Sequence, residues 1–163
     1  MRRRLPCLPP TLHFRRARPA DIAAMTAIRL GVTENVLSDP GKVTRQMYED
    51  YLHRLGRGWV CLRGRKIVGF SYASKADASI WALFIQPGHE GLGIGRKLLA
   101  LAVDWLFALG HGAVTLTTGR GTRAEGFYAA SGWVREGDAD GRDVAFRILP
   151  RPENRHPPTA PAP

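Results

Sequence analysis

The chain has 163 residues and a formal net charge of +10, and this length suits one domain that buries its own hydrophobic core without disulfides or metals. Residues 1–18 contribute six of the ten net charges and residues 151–163 one, which leaves about +3 for residues 19–150. A nearly balanced body between two basic tails favours solvated arms over a phosphate-binding arm. We therefore expect no nucleic-acid partner.

The cysteines indicate the compartment, and the composition indicates the domain bounds. Cys7 lies beside prolines and Cys61 lies in an apolar run, so neither context suggests a disulfide, and a reducing cytoplasm is expected. No stretch approaches the ~20 apolar residues of a membrane span. The composition predicts a disordered basic extension over 1–11, one domain over 12–150 and a disordered Pro-rich tail over 151–163.

Apolar spacing and turn residues predict the first elements. Alternation favours strands, and recurrence every three to four residues favours helices. In chain order the predictions are a strand over 12–17, a helix over 21–32 capped by Asp21, a helix that begins after Thr44 and closes at Gly56, and a hairpin of strands over 58–62 and 66–74.

The second half alternates between strands and helices. The predictions are a strand over 79–85, a helix from Ile94 to Leu109, a strand over 113–118, a helix over 122–131, and strands over 132–136 and 143–149. This order implies an α/β (α+β) fold: a central mixed sheet of six to seven strands flanked by about four helices. The sheet is expected to be antiparallel at first, with parallel crossovers after residue 79.

A glycine run separates the strand that ends at residue 85 from the helix that follows. In the segment HEGLGIGRKLL, glycine occupies the alternate positions Gly91, Gly93 and Gly95. Such density indicates a special backbone shape or a close approach to the main chain. The N–H groups and the positive end of the helix dipole converge there, which suits a phosphate. Arg96 and Lys97 oppose the dipole in the first turn, and an anionic partner would offset that conflict.

Two familiar phosphate motifs do not fit these residues. A P-loop needs Gly-Lys-Ser/Thr at the start of the helix, whereas the chain reads Gly95-Arg96-Lys97-Leu98, without a hydroxyl for magnesium. The dinucleotide fingerprint needs a third glycine where Arg96 or Leu98 stands, and it normally occupies the first strand–helix unit. Both classes are disfavoured.

The run resembles the signature of the GNAT superfamily of acyl-CoA-dependent N-acyltransferases, Arg/Gln-x-x-Gly-x-Gly/Ala at a strand-to-helix junction. Here it reads Glu90-Gly91-Leu92-Gly93-Ile94-Gly95, with Glu90 in place of the usual Arg or Gln. Further segments are similar to the family's first strand and helix, third strand, fourth strand and late aromatic block: RARPADIAAM, KIVGFSYAS, SIWALFIQP and AEGFYAASGW. The resemblance covers about residues 12–149.

The resemblance implies acetyl-CoA as co-substrate and a set of residues that hold it. The amides of Leu92 to Arg96 would bind the pyrophosphate, and the main chain of Leu83 to Ile85 would pair with the pantetheine arm, because the family's fourth and fifth strands splay apart. Gly121 stands where the family often has asparagine, so Thr122 is the candidate for that hydrogen bond. The implied cofactor-binding residues are Leu83, Phe84, Ile85, Gly91, Leu92, Gly93, Ile94, Gly95, Arg96, Lys97 and Thr122.

Acyl transfer to an amine needs a neutral nucleophile, an oxyanion stabiliser and a proton for the leaving thiolate. Deprotonation is the harder demand at neutral pH, since a lysine-like amine has a pKa of about 10.4 and a thiol about 8.5. A backbone N–H near Ile85 could stabilise the oxyanion. By resemblance, Tyr128 would lie near the CoA sulfur and donate its phenolic proton; the alternative is an ordinary core aromatic.

The sequence does not single out one residue as the general base that deprotonates the amine. Glu34 falls where the family usually builds its acceptor pocket, and Asp39 and Asp77 are alternatives, although turn chemistry fully explains Asp39-Pro40-Gly41. The five histidines are scattered without the pairing of a zinc site, so no metal is expected. The four tryptophans fall in predicted elements and suit core packing.

The sequence therefore predicts a cytoplasmic N-acetyltransferase that transfers acetyl directly to a small-molecule or peptide amine. The alternatives are a non-catalytic acyl-CoA sensor or scaffold and a nucleic-acid-binding protein that uses the arginine tails. The acceptor and the oligomeric state stay open, with a homodimer among the alternatives.

Overall fold

The computed structural model describes residues 11–34 and 40–152. The expectations for the basic extension and the Pro-rich tail fall almost wholly outside these residues, as do those for Cys7 and Asp39.

A seven-stranded sheet organises the described chain, in the order β1-β2-β3-β4-β5-β7-β6. The strands are β1 (Leu12–Arg16), β2 (Gly56–Arg63), β3 (Lys66–Ser74), β4 (Ser79–Ile85), β5 (Val114–Gly119), β6 (Val134–Asp138) and β7 (Asp143–Ile148). Four α-helices flank it: α1 (Ile22–Gly31), α2 (Arg45–His53), α3 (Ile94–Ala108) and α4 (Arg123–Ala130). The expected mixed α/β fold is confirmed.

The strand directions agree with the prediction. β1 to β4 pair antiparallel, β4 pairs with β5 in parallel across α3, and β6 runs parallel to β5 across α4, because both pair antiparallel with β7. β7 lies between β5 and β6, so the last hairpin pairs with β5 through its second strand. Hairpin formation is readable from local turn signals, but which of its strands joins the sheet is decided by tertiary packing.

Gly56 begins β2 and does not close α2, which corrects the prediction. A Cβ built on Gly56 would lie 1.9 Å from the Ala73 carbonyl oxygen, so only glycine fits against β3 at this point. α2 ends at His53 instead. At its other end Thr44 caps the helix as predicted and accepts the Met47 N–H at 3.3 Å.

Asp21 anchors the start of α1, although its carboxylate does not reach into the helix as the prediction assumed. It accepts the upstream Arg18 N–H at 2.8 Å and both terminal nitrogens of Arg15 at 2.7 and 2.9 Å. The bond from Arg15 is the main reason why the pKa of Asp21 lies below its usual value. This bidentate pair joins β1 to α1.

Two apolar clusters cover opposite faces of the sheet. On the α3 face, α3 and α4 pack against the strands through buried residues such as Leu98, Leu106 and Tyr128. On the α1 face, α1 and α2 pack through Met25 and Leu52, among others. These two faces matter for function, because the opening described next connects them.

Candidate active site

β4 and β5 separate almost as soon as they meet. Their register contains one pair, Ser79 with Thr115, supported by a 3.0 Å bond from the Thr115 N–H to the Ala78 carbonyl. Beyond it lies a cavity of about 290 Å³. Its walls come from β4, β5, α1, α4 and the start of β7: Arg29, Ile80, Trp81, Ala82, Leu83, Phe84, Thr117, Thr118, Gly119, Ala124, Tyr128 and Asp143.

A β-bulge in β4 shapes the wall of this cavity. The pairing with β3 shifts from Tyr72–Ala82 to Ala73–Ile80, so Trp81 is an extra residue on β4. The Trp81 ring stacks on Tyr51 of α2 at 4.4 Å, with the two planes 3° apart. Because a bulge bends its strand and strengthens the local twist, it accounts for the departure of β4 from β5. The run SIWALFI gives no signal of it.

The bulged strand leaves a peptide edge that faces the cavity. The Gln86 N–H bonds the Val68 carbonyl at 2.8 Å, which fixes the phase of the β3–β4 ladder. In an antiparallel pair only every second residue exchanges bonds with its partner. Phe84 therefore faces β3, opposite Phe70, whereas Leu83 and Ile85 turn their N–H and C=O groups towards the opening. Leu83, Phe84 and Ile85 were all predicted to pair with pantetheine through the main chain. The main chain of Phe84 faces β3 instead, and this residue lines the cavity with its ring.

The glycine run has the backbone shape that the sequence indicated. Gly91 and Gly93 have φ values of 76° and 78°, and neither would meet an atom within 4 Å of an added Cβ, so conformation and not space requires glycine. Gly93 caps α3, whose first bond runs from the Lys97 N–H to the Gly93 carbonyl at 3.2 Å. The N–H groups of Ile94, Gly95 and Arg96 precede that bond and are free for an anion.

The side chains of Leu92, Arg96 and Lys97 are exposed around this run, and Leu92 is 49% exposed. Gly95 has ordinary helical backbone, and a Cβ there would touch Phe127 at 3.7 Å. The loop thus presents main-chain N–H groups with two cations beside them, as the phosphate prediction requires.

Glu90 holds the turn that leads into the glycine run. Its carboxylate accepts the Gly88 N–H at 2.8 Å. The pKa of Glu90 is lowered, first by a bond from its own N–H, and further by the Gly88 N–H and the positive charge of Arg123. Its role is therefore in the turn. Two buried polar atoms nearby, Gln86 Oε1 and His89 Nδ1, have no hydrogen-bond partner among the described residues. The amide oxygen could accept a hydrogen bond from a ligand, and the ring nitrogen could accept or donate one.

Glu34 reaches the N-terminus of α4. Its carboxylate accepts the Arg123 N–H at 2.8 Å, which is a favourable place for a negative charge. Since Arg123 is also close enough to lower the pKa of Glu90, the end of α1, the glycine loop and the start of α4 meet at one rim of the opening. Glu34 thus lies beside the cavity, but it is not among the residues that line it.

Thr122 caps α4. Its hydroxyl donates to the Gly119 carbonyl at 2.7 Å and accepts the Glu125 N–H at 3.3 Å. Because a hydroxyl has one proton to donate, Thr122 could only accept a hydrogen bond from the pantetheine arm.

Tyr128 lies in both the core and the cavity wall. It is 6% exposed and packs against Phe127, Trp133 and Phe146 with ring centroids 5.3–5.9 Å apart. Burial raises the pKa of its phenol, so the hydroxyl keeps its proton at neutral pH. A protonated phenol at this place can serve as a hydrogen-bond or proton donor.

Of two further carboxylates, Asp77 lies in a turn and Asp143 lies in the cavity wall. Asp77 accepts a hydrogen bond from the Ser79 hydroxyl at 2.8 Å in the β3–β4 turn. Burial would raise its pKa, but the hydroxyls of Ser74 and Ser79 and the backbone N–H groups of Asp77 and Ser79 together lower it, so this carboxylate serves the turn. Asp143, which the sequence analysis missed, lines the cavity. Arg29, also missed, lines it from α1. Neither has a motif, because single charged residues acquire a role only when the fold brings them together.

In the described part of the chain, no group of three or more His, Cys, Asp or Glu side chains could hold a metal ion. Nor is any helix there long and apolar enough to cross a membrane. Cys61 is a free, fully buried thiol, and burial raises its pKa to about 11, which makes it a poor nucleophile.

Known proteins share this architecture. Among solved structures, the PaiA N-acetyltransferase of Thermoplasma acidophilum in complex with coenzyme A superposes with a TM-score of 0.75, at 16% identity over 85% of this chain and 99% of that chain. The ribosomal-protein-S18-alanine N-acetyltransferase of Escherichia coli gives 0.67, at 17% identity over 90% and 99%. A spermidine N-acetyltransferase variant from Vibrio cholerae gives 0.62, at 20% identity over 85% and 93%.

A search of curated protein sequences found no significant match. The sequence profile of the acetyltransferase (GNAT) family, however, matches residues 25–133, which include the bulged strand, the glycine loop and Tyr128. The chain belongs to the GNAT family of acetyltransferases.

Proposed function

We propose that this chain is a cytoplasmic N-acetyltransferase that moves the acetyl group of acetyl-CoA directly to an amine. The observation that carries the proposal is the unpaired peptide edge of Leu83 and Ile85 beside the N–H groups at the start of α3. A strand edge recognises an extended, amide-bearing chain, and a helix N-terminus recognises phosphate. Coenzyme A has an amide-bearing pantetheine chain joined directly to a diphosphate.

The chain's own residues divide the binding as follows. Leu83 and Ile85 would hydrogen-bond the pantetheine amides, and the N–H groups from Leu92 to Arg96 would surround the diphosphate, with the Arg96 and Lys97 side chains adding positive charge. Thr122 could accept a further bond, and Phe84 closes the α1 face of the cavity. Acetyl-CoA, the co-substrate of this family, would supply an activated thioester.

In the transfer, the bond between the acetyl carbon and sulfur breaks and a bond between that carbon and the amine nitrogen forms. A main-chain N–H of the β4 edge would stabilise the charge that develops on the carbonyl oxygen. Tyr128 would donate a proton to the leaving thiolate and regain it from solvent. The amine, protonated in water, must release two protons over the cycle, and a carboxylate at the opening can receive them through water.

Two carboxylates are placed for that task. Glu34 is at the rim beside α4, and Asp143 is in the cavity wall. Glu34 already accepts the Arg123 N–H, whereas Asp143 faces the cavity directly. We therefore propose Glu34 as a group that attracts the cationic acceptor and Asp143 as the relay closer to the reacting atoms.

Substituting Tyr128 tests the function. Tyr128→Phe keeps the packing of the ring and removes the donor, so kcat should fall about 100-fold while calorimetric affinity for CoA changes little. Tyr72→Phe is the matched control, because Tyr72 is also buried but lies outside this cavity. Release of free thiol from acetyl-CoA, measured across polyamines, amino acids and peptides, reports turnover.

A non-catalytic acyl-CoA sensor is the second candidate. Gly121, in place of the family's frequent asparagine, and Glu90, in place of Arg or Gln, favour it. A sensor would bind CoA, release no thiol with any acceptor and be indifferent to Tyr128→Phe. A correctly folded protein that does not bind CoA would exclude both candidates.

A further inference from the structure

Arg29 carries a partly buried charge that no described group neutralises. Its guanidinium carbon lies 4.2 Å from the centroid of the Phe84 ring. Its Nη1 atom is buried and has no hydrogen-bond partner among the described residues. Each of the ion pairs among the described residues joins other side chains. The side chain nevertheless lines the cavity between β4 and β5.

A buried guanidinium nitrogen without a hydrogen-bond partner is costly. Stacking on an aromatic ring compensates for only part of the hydration free energy that the cation loses on burial. An unsatisfied charged donor therefore destabilises the fold more than an apolar side chain of similar length would. Its location in a cavity wall points to a ligand that completes it. A carboxylate matches the planar fork of an arginine and forms the shortest and strongest bonds with it.

The position of Arg29 distinguishes the two substrates. The N–H groups for the diphosphate are at the start of α3, and α3 packs on the α3 face. Arg29 comes from α1, and the Phe84 ring beneath it belongs to the cluster on the α1 face. A molecule that contacts Arg29 therefore enters from the side opposite to α3, where an acceptor would approach the thioester.

Asp143 provides the opposite charge in the same cavity. On β7, Val144 and Phe146 point into the α3-face cluster, so by the two-residue period of a strand Asp143 points to the α1 face. It lines the cavity at the start of β7, opposite Gly119 of β5. The cavity thus has a cationic group on its β4 side and an anionic group on its far side.

We infer that the acceptor is an aminocarboxylate: Arg29 holds its carboxylate, and Asp143 attracts its ammonium group. This inference rests on the proposed N-acetyltransferase function and narrows its substrate class. It excludes simple polyamines as preferred acceptors, because they have no group for Arg29 and would add a further cation beside it.

Matched acceptors test the charge requirement. Several α-amino acids are assayed with acetyl-CoA, each beside its amide and its decarboxylated amine. We expect the free carboxylate to be preferred in kcat/KM by about 10- to 100-fold, the range for a buried hydrogen bond to a charged group. Arg29→Gln should remove this preference by lowering turnover of the amino acids while turnover of the amides stays within about threefold.

Arg57 provides the control variant. Its guanidinium also lies over an aromatic ring, 4.9 Å from the centroid of Trp105, and its buried Nε likewise has no partner in the part of the chain that the structure describes, but it does not line the cavity. Arg57→Gln should keep the carboxylate preference. Arg29→Met should keep or raise the melting temperature while it abolishes the preference, since a merely structural arginine would lower the melting temperature when replaced.

The outcomes separate this inference from the function on which it rests. If CoA binds and amines are acetylated without a carboxylate preference, or if Arg29→Gln leaves that preference intact, the inference is wrong and the function stands. If Arg29 instead selects succinyl-CoA over acetyl-CoA, the carboxylate belongs to the acyl donor, and the inference is again wrong. If neither CoA binding nor transfer occurs, the function itself fails. If CoA binds without transfer, thermal shifts of the CoA-saturated protein decide: amino acids but not their amides should raise the melting temperature, and Arg29→Gln should remove that rise.

Discussion

Two glycines of the run between β4 and α3 should respond in opposite ways to the same added methyl group. Gly93 has φ 78° with open space around its Cβ position, whereas Gly95 is in the first turn of α3, where a Cβ would make ordinary contacts at 3.7 and 3.9 Å. The substitutions Gly93→Ala and Gly95→Ala therefore separate backbone conformation from steric space, because neither methyl group clashes.

The magnitudes follow from these two geometries. A left-handed conformation costs a non-glycine residue about 1–2 kcal/mol, offset by about 0.4–1 kcal/mol from a less flexible unfolded chain, so Gly93→Ala should destabilise the fold by about 1 kcal/mol. Gly95→Ala should stabilise it by about 1 kcal/mol, since alanine is the better helix former. For a chain of this size, each change should move the melting temperature by about 2–4 °C, in opposite directions.

Binding should separate the pair further. Relief of the strain at Gly93 would turn the N–H groups of Ile94 and Gly95 away from their common point, and we expect the Kd for CoA to rise about tenfold, equivalent to about 1.4 kcal/mol. Gly95→Ala should leave the Kd within about threefold, because the family signature accepts alanine there. Calorimetric titration and thermal scans of the three proteins check both quantities. Equal melting temperatures together with equal affinities would refute the reasoning from backbone conformation.

The remaining predictions concern two carboxylates. Asp21→Asn should cost about 2 kcal/mol at neutral pH, because it removes charge-assisted bonds from Arg15 and weakens the one from Arg18. Since the folded pKa of Asp21 is lowered, this contribution is complete above the unfolded pKa of about 3.9 and is lost as the pH falls through the folded value. Melting curves of both proteins should therefore converge at acidic pH; a constant difference would contradict the assignment. Glu90→Gln should tighten CoA binding a few-fold at low salt by removing a negative charge beside the phosphate loop, while the weaker acceptor still holds the Gly88 N–H. Titration at two salt concentrations checks this, and weaker binding by the variant would assign Glu90 a positive part in the site.

The parts of the fold that were predictable rest on local chemistry. Thr44 and Thr122 cap helices because their hydroxyls bond nearby N–H groups, and Gly91 and Gly93 have the positive φ values that their density indicated. In contrast, nothing local marks Trp81 as a bulge, since every residue of its strand is apolar or small and the extra residue exists only relative to β3.

The cavity was less predictable than the loop. Arg29 lies within a predicted amphipathic helix and Asp143 at the first position of a predicted strand, and neither position carries a motif. Their shared position depends on β7 pairing with β5, a choice that the local sequence does not determine. Motif similarity found the glycine run because its residues are contiguous, and it missed Arg29 and Asp143 because distant segments bring them together.

The brief meeting of β4 and β5 has a mechanical consequence. The sheet consists of two parts, β1–β4 and β5–β7–β6, which share one register pair. Otherwise they are held together by α3, which makes apolar contacts with both. A pantetheine chain bound in the gap would bridge the two parts of the sheet as an added strand. Donor occupancy should then stiffen the whole molecule, slow amide hydrogen exchange on both sides of the seam, and make the resting protein the more pliable of the two states.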